Sequence, residues 1–119
     1  MLLIVEDDRE IRELLSEVLA DEGYRVREAR HGREALDLLQ DDRAELPSLI
    51  LLDLMMPVLD GLEVLDALAA SERLRRIPVI VATAAPEKAV GRSFTAIVKK
   101  PYVIGTLLEE IRRHGGARR

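Results

Sequence analysis

Apolar residues recur along the chain in two alternating patterns. Runs of strand length, Leu2 to Val5, Arg25 to Ala29 around Val26, Leu49 to Leu52, Pro78 to Ala82 and Ala96 to Val98, are separated by stretches with a helical period. The first of these stretches places Ile11, Leu14, Leu15, Val18 and Leu19 at the i, i+3, i+4, i+7, i+8 spacing of one buried face. Ala35, Leu38 and Leu39 repeat the pattern, followed by Leu62, Leu65 and Leu68, and then by Leu107, Leu108 and Ile111. Gly23, Gly32, Gly61 and Gly105 stand near the junctions. The pattern predicts strand and helix in alternation five times, ending on a helix. "SLILLD" and "PVIVAT" are apolar on successive residues, as expected of strands covered on both faces in a parallel sheet. The fold class that follows is α/β, a flavodoxin-like doubly wound (βα)5 sandwich with parallel strand order 2-1-3-4-5.

Composition narrows the class without changing it. At 119 residues, 48% hydrophobic and 34% charged, the chain suits a single soluble globular domain. A formal net charge of -4 gives no basic field for nucleic acid, so no direct DNA binding is expected. The absence of cysteine removes disulfides, thiol nucleophiles and cysteine zinc sites. No apolar run approaches the roughly 20 residues of a membrane span. The amino terminus enters a strand at once and leaves no room for a cleavable leader, so a cytoplasmic location is expected.

In an open α/β sheet, ligands bind beyond the carboxyl ends of the strands. Read at those ends only, the sequence offers Glu6 and Asp7 after the first strand, Asp53 after the third, Thr83 after the fourth and Lys100 after the fifth. The order 2-1-3-4-5 makes these five side chains converge. Two carboxylates about 4 Å apart repel by roughly 4 kcal/mol at the effective dielectric near a protein surface. Three of them therefore call for a compensating positive charge, and a hard divalent ion with oxygen ligands, such as Mg2+, supplies it. Lys100 adds a second positive charge and Thr83 a hydroxyl, so an anionic group carried on Asp53 could be gripped from several sides. Asp8 belongs to the first helix as an N-terminal cap, and Lys99 is an exposed strand-end charge.

With these residues in place, the chain resembles a receiver domain of a two-component response regulator along essentially its whole length. The motifs are "IVEDD", "LILLDLMMPVLDGLEVL", "PVIVATAA" and "IVKKPY", in order and at consistent separations. The resemblance implies that Asp53 accepts a phosphoryl group from a histidine kinase or phosphotransfer protein. It implies that Asp7, Asp53 and the Met55 backbone carbonyl bind Mg2+ or Mn2+, with Glu6 completing the acidic pocket. Thr83 and Lys100 would bind phosphoryl oxygens, Pro57 and Gly61 would shape the loop after the third strand, and a cis peptide bond would precede Pro101. It further implies a phosphoprotein that switches protein contacts toward a downstream protein, as a monomer or weak phosphorylation-dependent dimer, and that is no enzyme beyond its own phosphorylation and slow dephosphorylation.

Two departures from the family stand out. Ile97 occupies the position three residues before the lysine where an aromatic ring is usual, so the usual coupling of the threonine to that ring is absent. The segment from Thr83 to Lys100 is about five residues shorter than in most receivers, more than one turn at 3.6 residues per turn. A stunted or irregular fourth helix is expected between Pro86 and Ser93, weakened by Gly91. Phe94 is expected in the core and Tyr102 partly exposed. Met55 and Ala85 beside the acceptor are uncharged and cannot position an attacking water, so slow self-dephosphorylation is expected. A haloacid-dehalogenase-type phosphatase would need an aspartate where Met55 stands. A phosphate-independent pseudo-receiver would commonly lack one of the acids or the lysine that this chain keeps. The chain reads as a single receiver domain over residues 1–119 with a flexible tail at 115–119 that includes Arg118 and Arg119, either acting alone or forming part of a longer regulator or hybrid kinase.

Overall fold

Residues buried on opposite faces of one parallel sheet explain why the central strands show no alternation. The computed structural model describes residues 1–56 and 59–115. The five strands are β1 (Leu2–Val5), β2 (Val26–Ala29), β3 (Leu49–Leu52), β4 (Val79–Thr83) and β5 (Ala96–Lys99), in the order β2-β1-β3-β4-β5. All four pairings are parallel. The helices are α1 (Arg9–Asp21), α2 (Gly32–Gln40), α3 (Gly61–Ala69) and α4 (Ile104–Arg113). Side chains alternate across the strands. Leu3, Val5, Ile50, Leu52, Val79 and Val81 therefore join α2 and α3 in one core layer. Leu2, Ile4, Leu49, Leu51, Ile80 and Val98 join α1 and α4 in the other.

The helices start where their caps dictate. The Asp8 carboxylate accepts from the Glu10 and Ile11 N–H groups, and the Asp60 carboxylate accepts from Glu63 N–H. His31 does the same for α2 through Nδ1, which accepts from Glu34 N–H. Helix α1 corrects the expected buried face. Its buried residues are Arg12, Leu15 and Leu19, whereas Leu14 is 51% exposed. In α3 the buried set is Val64, Leu65 and Leu68, with Leu62 at its edge.

The fourth connection is stunted, as expected, and there the strand-helix alternation is reduced to a single turn. It carries no α-helix, only one 3-10 turn at Pro86–Ala89. Pro86 suits the first turn because it has no N–H to leave unpaired. Gly91, at φ +85°, then adopts a left-handed conformation that stops any continuation. Ala89 anchors the turn in the core while Val90 stays 77% exposed. Phe94 packs against the layer under α3, as expected of a core residue. Pro57 and residues 116–119, including Arg118 and Arg119, lie outside the described residues.

The turn from β3 into α3 depends on close backbone approach. A Cβ on Gly61 would sit 2.6 Å from Leu54 Cα and against the Asp53 carbonyl oxygen, both main-chain atoms that cannot swing away. Gly61 N–H also donates to the Leu54 carbonyl at 3.0 Å. Gly61→Ala should cost about 1–3 kcal/mol in urea unfolding followed by circular dichroism, the range typical of forced overpacking. Gly105→Ala, in the same assay, should gain about 0.5–1 kcal/mol, because its Cβ meets open space on a helix.

Candidate functional site

Parallel register levels the carboxyl ends of the strands. Val5 pairs with Leu52, and Asp53 N–H continues the ladder by donating to the Val5 carbonyl at 3.1 Å. Glu6 N–H donates in the same way to the Ala29 carbonyl at 3.1 Å on the other side. Glu6 and Asp53 thus emerge side by side, only 3% and 6% exposed. With exposed Asp7, they bring three carboxylate oxygens within 4.8 Å of one another.

Lys100 is what makes that proximity tolerable. Its Nζ lies 2.7 Å from Glu6 Oε1 and 3.4 Å from Asp53 Oδ2. The remaining oxygens go to the main chain: Glu6 Oε2 accepts from Asp8 N–H and Asp53 Oδ1 from Met55 N–H, each at 3.2 Å. Each buried carboxylate is therefore held by one backbone N–H and by the shared ammonium. Burial still pushes the Glu6 carboxyl above its ordinary value, with the Asp53 charge adding to the rise and the bonds from Lys100 and Asp8 N–H opposing it. Burial would lower the Lys100 ammonium, but the bond to Glu6 and the charges of Asp53 and Glu6 outweigh it and hold the group above its ordinary value.

Thr83, at the end of β4, is wholly buried. Its Oγ1 accepts from Ala85 N–H at 3.1 Å, a bond that leaves the hydroxyl proton available to an acceptor. Its carbonyl accepts from Lys100 N–H at 2.8 Å, so β4 also positions the lysine. The Lys100–Pro101 peptide bond is cis, as expected. Met55 has a half-exposed side chain, and Lys99 is exposed. Tyr102 is half-buried; burial raises its phenol pKa, which Lys100 lowers and the charges of Glu6 and Asp53 raise further.

The oxygen-only donor set, two buried carboxylates and one at the solvent edge, fits a small hard dication. Lys100 lies against both members of the buried pair. Sequence reasoning missed Arg12, which donates from Nη1 to the Glu6 carbonyl at 2.9 Å and the Asp7 carbonyl at 3.4 Å. The signal was present: Arg12, Leu15 and Leu19 share one helical line, and a charge on an apolar stripe asks for a partner.

The family profile of the response regulator receiver domain matches residues 2–112. A response regulator named MprA from Mycolicibacterium vanbaalenii is 40% identical over 116 residues, covering 93% of this chain and 48% of that protein. The chain spans about half the length of the curated relatives it matches. Among solved structures, the receiver domain of a signal transduction histidine kinase from Syntrophus aciditrophicus superposes with a TM-score of 0.87 at 30% identity, covering 95% of this chain and 87% of that one. The receiver domain of a sensor histidine kinase from Pseudomonas aeruginosa, with a magnesium ion coordinated in its active site cleft, gives 0.85 at 28% identity, covering 98% and 97%. A profile match over nearly the whole chain, on this strand order and with these acids at the strand ends, shows that the chain belongs to the response regulator receiver domain family of two-component signalling.

Proposed function

We propose that Asp53 accepts a phosphoryl group from a phosphohistidine of a histidine kinase or phosphotransfer protein, and that the domain uses the resulting aspartyl phosphate as a switch. The observation that carries this reading is the double hold on Asp53, with Oδ1 on Met55 N–H and Oδ2 facing Lys100, beside the Glu6 and Asp7 carboxylates. A carboxylate oxygen of Asp53 attacks phosphorus, the new O–P bond forms as the P–N bond breaks, and the imidazole leaves with the electron pair.

Mg2+ or Mn2+ would be held by Asp7, Asp53 and the Met55 carbonyl, with Glu6 completing the pocket, and would supply charge neutralisation at the phosphoryl oxygens. The magnesium in the cleft of the Pseudomonas neighbour supports that assignment by likeness. Lys100 already lies against Asp53 and stays with the new anion, which adds about -1.5 to -2 charges. Thr83 offers its hydroxyl proton to a phosphoryl oxygen. Its Oγ1 also holds Ala85 N–H, so a turn of the hydroxyl disturbs the entry to the 3-10 turn at Pro86–Ala89. With Ile97 in place of an aromatic ring, that turn is the route by which the phosphoryl state reaches the surface. Output then proceeds through protein contacts with a downstream partner in the cytoplasm, as a monomer or weak phosphorylation-dependent dimer, without direct DNA contact by this domain.

Incubation with acetyl phosphate should add one phosphoryl group by intact mass, only when Mg2+ is present. Asp53→Asn should abolish the gain, and the native adduct should outlast the removal of acetyl phosphate by minutes. A metal-independent gain, or one that survives in the mutant, would defeat the proposal. Thr83→Ala should still take up the phosphoryl group but lose the amide shift changes that phosphorylation causes from Ala85 to Ala89 in nuclear magnetic resonance spectra. Native-like shifts in that variant would place the switch elsewhere.

A further inference from the structure

Among the described residues, four polar or charged side chains are buried: Glu6, Asp53, Thr83 and Arg12. Three of them make up the site just described. The fourth lies on α1, 9% exposed, where its neighbours along the stripe are Leu15 and Leu19. A guanidinium held out of water is costly unless its donors are matched, and leucine would serve packing at that position better. Its partners explain its presence. Nη1 donates to the peptide carbonyls of Glu6 and Asp7, the two residues that bring carboxylates to the cluster from the β1–α1 loop. Nε lies 3.9 Å from Glu28 Oε1 on β2, and Glu28 in turn accepts from the Ser16 hydroxyl, so the guanidinium is itself oriented from behind.

The loop has other restraints on each side of Asp7. Glu6 N–H is tied to the Ala29 carbonyl, Asp8 N–H to Glu6 Oε2, and the Asp8 carboxylate to the first turn of α1. Asp7 is different. Among the described residues no partner holds its exposed carboxylate, and the hold on its carbonyl is Arg12. The direction of that carboxylate is set by the peptide planes on either side of it, and those are the planes whose carbonyls Arg12 grips.

We propose that Arg12 is a positioning residue for the cation site, locking the Glu6 and Asp7 peptides so that the Asp7 carboxylate converges with those of Glu6 and Asp53. The proposal rests on the reading of that cluster as a Mg2+ site. Arg12 touches neither the ion nor the phosphoryl group; it removes the loop freedom that cation binding would otherwise have to freeze.

The test is Mg2+ affinity in the folded, unphosphorylated chain, from amide shifts titrated with MgCl2 well below each variant's unfolding midpoint. Arg12→Met should weaken binding about tenfold, the lower end of what outer partners of metal ligands contribute. Arg12→Lys, whose shorter ammonium reaches the carbonyls less well, should fall between Met and native. Leu15→Ala, a core truncation on the same helix, should lower the unfolding midpoint and leave Mg2+ affinity unchanged. If Arg12→Met does not fold, a weakened affinity in Arg12→Lys carries the result. Native affinity in either folded Arg12 variant, or an equal loss in Leu15→Ala, would show a merely structural arginine and overturn the proposal. A native chain that does not respond to Mg2+ would overturn both this proposal and the reading of the site beneath it.

Discussion

An ammonium shared between two buried carboxylates is the constraint around which this molecule is organised. Glu6 and Asp53 end neighbouring strands with almost no access to water, and the Lys100 ammonium offsets the repulsion between their carboxylates. The three residues come from positions 6, 53 and 100, so their meeting requires β1, β3, β4 and β5 all to be in register. The site is therefore a product of the completed sheet and not of any local segment. The same compensation leaves the cluster ready for chemistry. Under the proposed function a cation would share the carboxylates with Lys100, and a phosphoryl group on Asp53 would find the ammonium already beside it.

The scaffold invests in exact placement of the loops that carry these groups. Gly61 lets α3 begin against the main chain of Asp53 and Leu54, which holds Asp53 close to the helix start. Asp8 is drawn into the N-terminus of α1 and kept out of the cluster. Lys100 N–H is tied to the Thr83 carbonyl, so the lysine and threonine cannot drift apart. The fourth connection follows the opposite policy. Its single turn, anchored by Ala89 and stopped at Gly91, has little buried surface to hold one arrangement. Segments of that kind open at low free-energy cost.

Much of this was legible in the residue pattern. The run "SLILLD" read as a strand covered on both faces, and the strand-end acids pointed to a charged pocket because the doubly wound order brings them together. Asp8 as a cap, Phe94 in the core and the weakness of the fourth connection followed from local chemistry, and the structure has each of them. Helical faces were harder. Periodicity favoured Leu14 and passed over Arg12, because hydrophobicity ranks residues by their ordinary preference and not by the partners a particular loop provides.

The sequence by itself determined the parallel doubly wound sheet, most of the helices between its strands and the identity of the acids, threonine and lysine at the strand ends. These are properties of spacing and side-chain chemistry, and both are local. Only the tertiary structure decided that Lys100 pairs with Glu6 more closely than with Asp53, that the fourth connection is one 3-10 turn, and that Arg12 turns inward to the carbonyls of Glu6 and Asp7. Each of these depends on where distant segments end in space, and on buried charges and donors finding partners that no local pattern reveals.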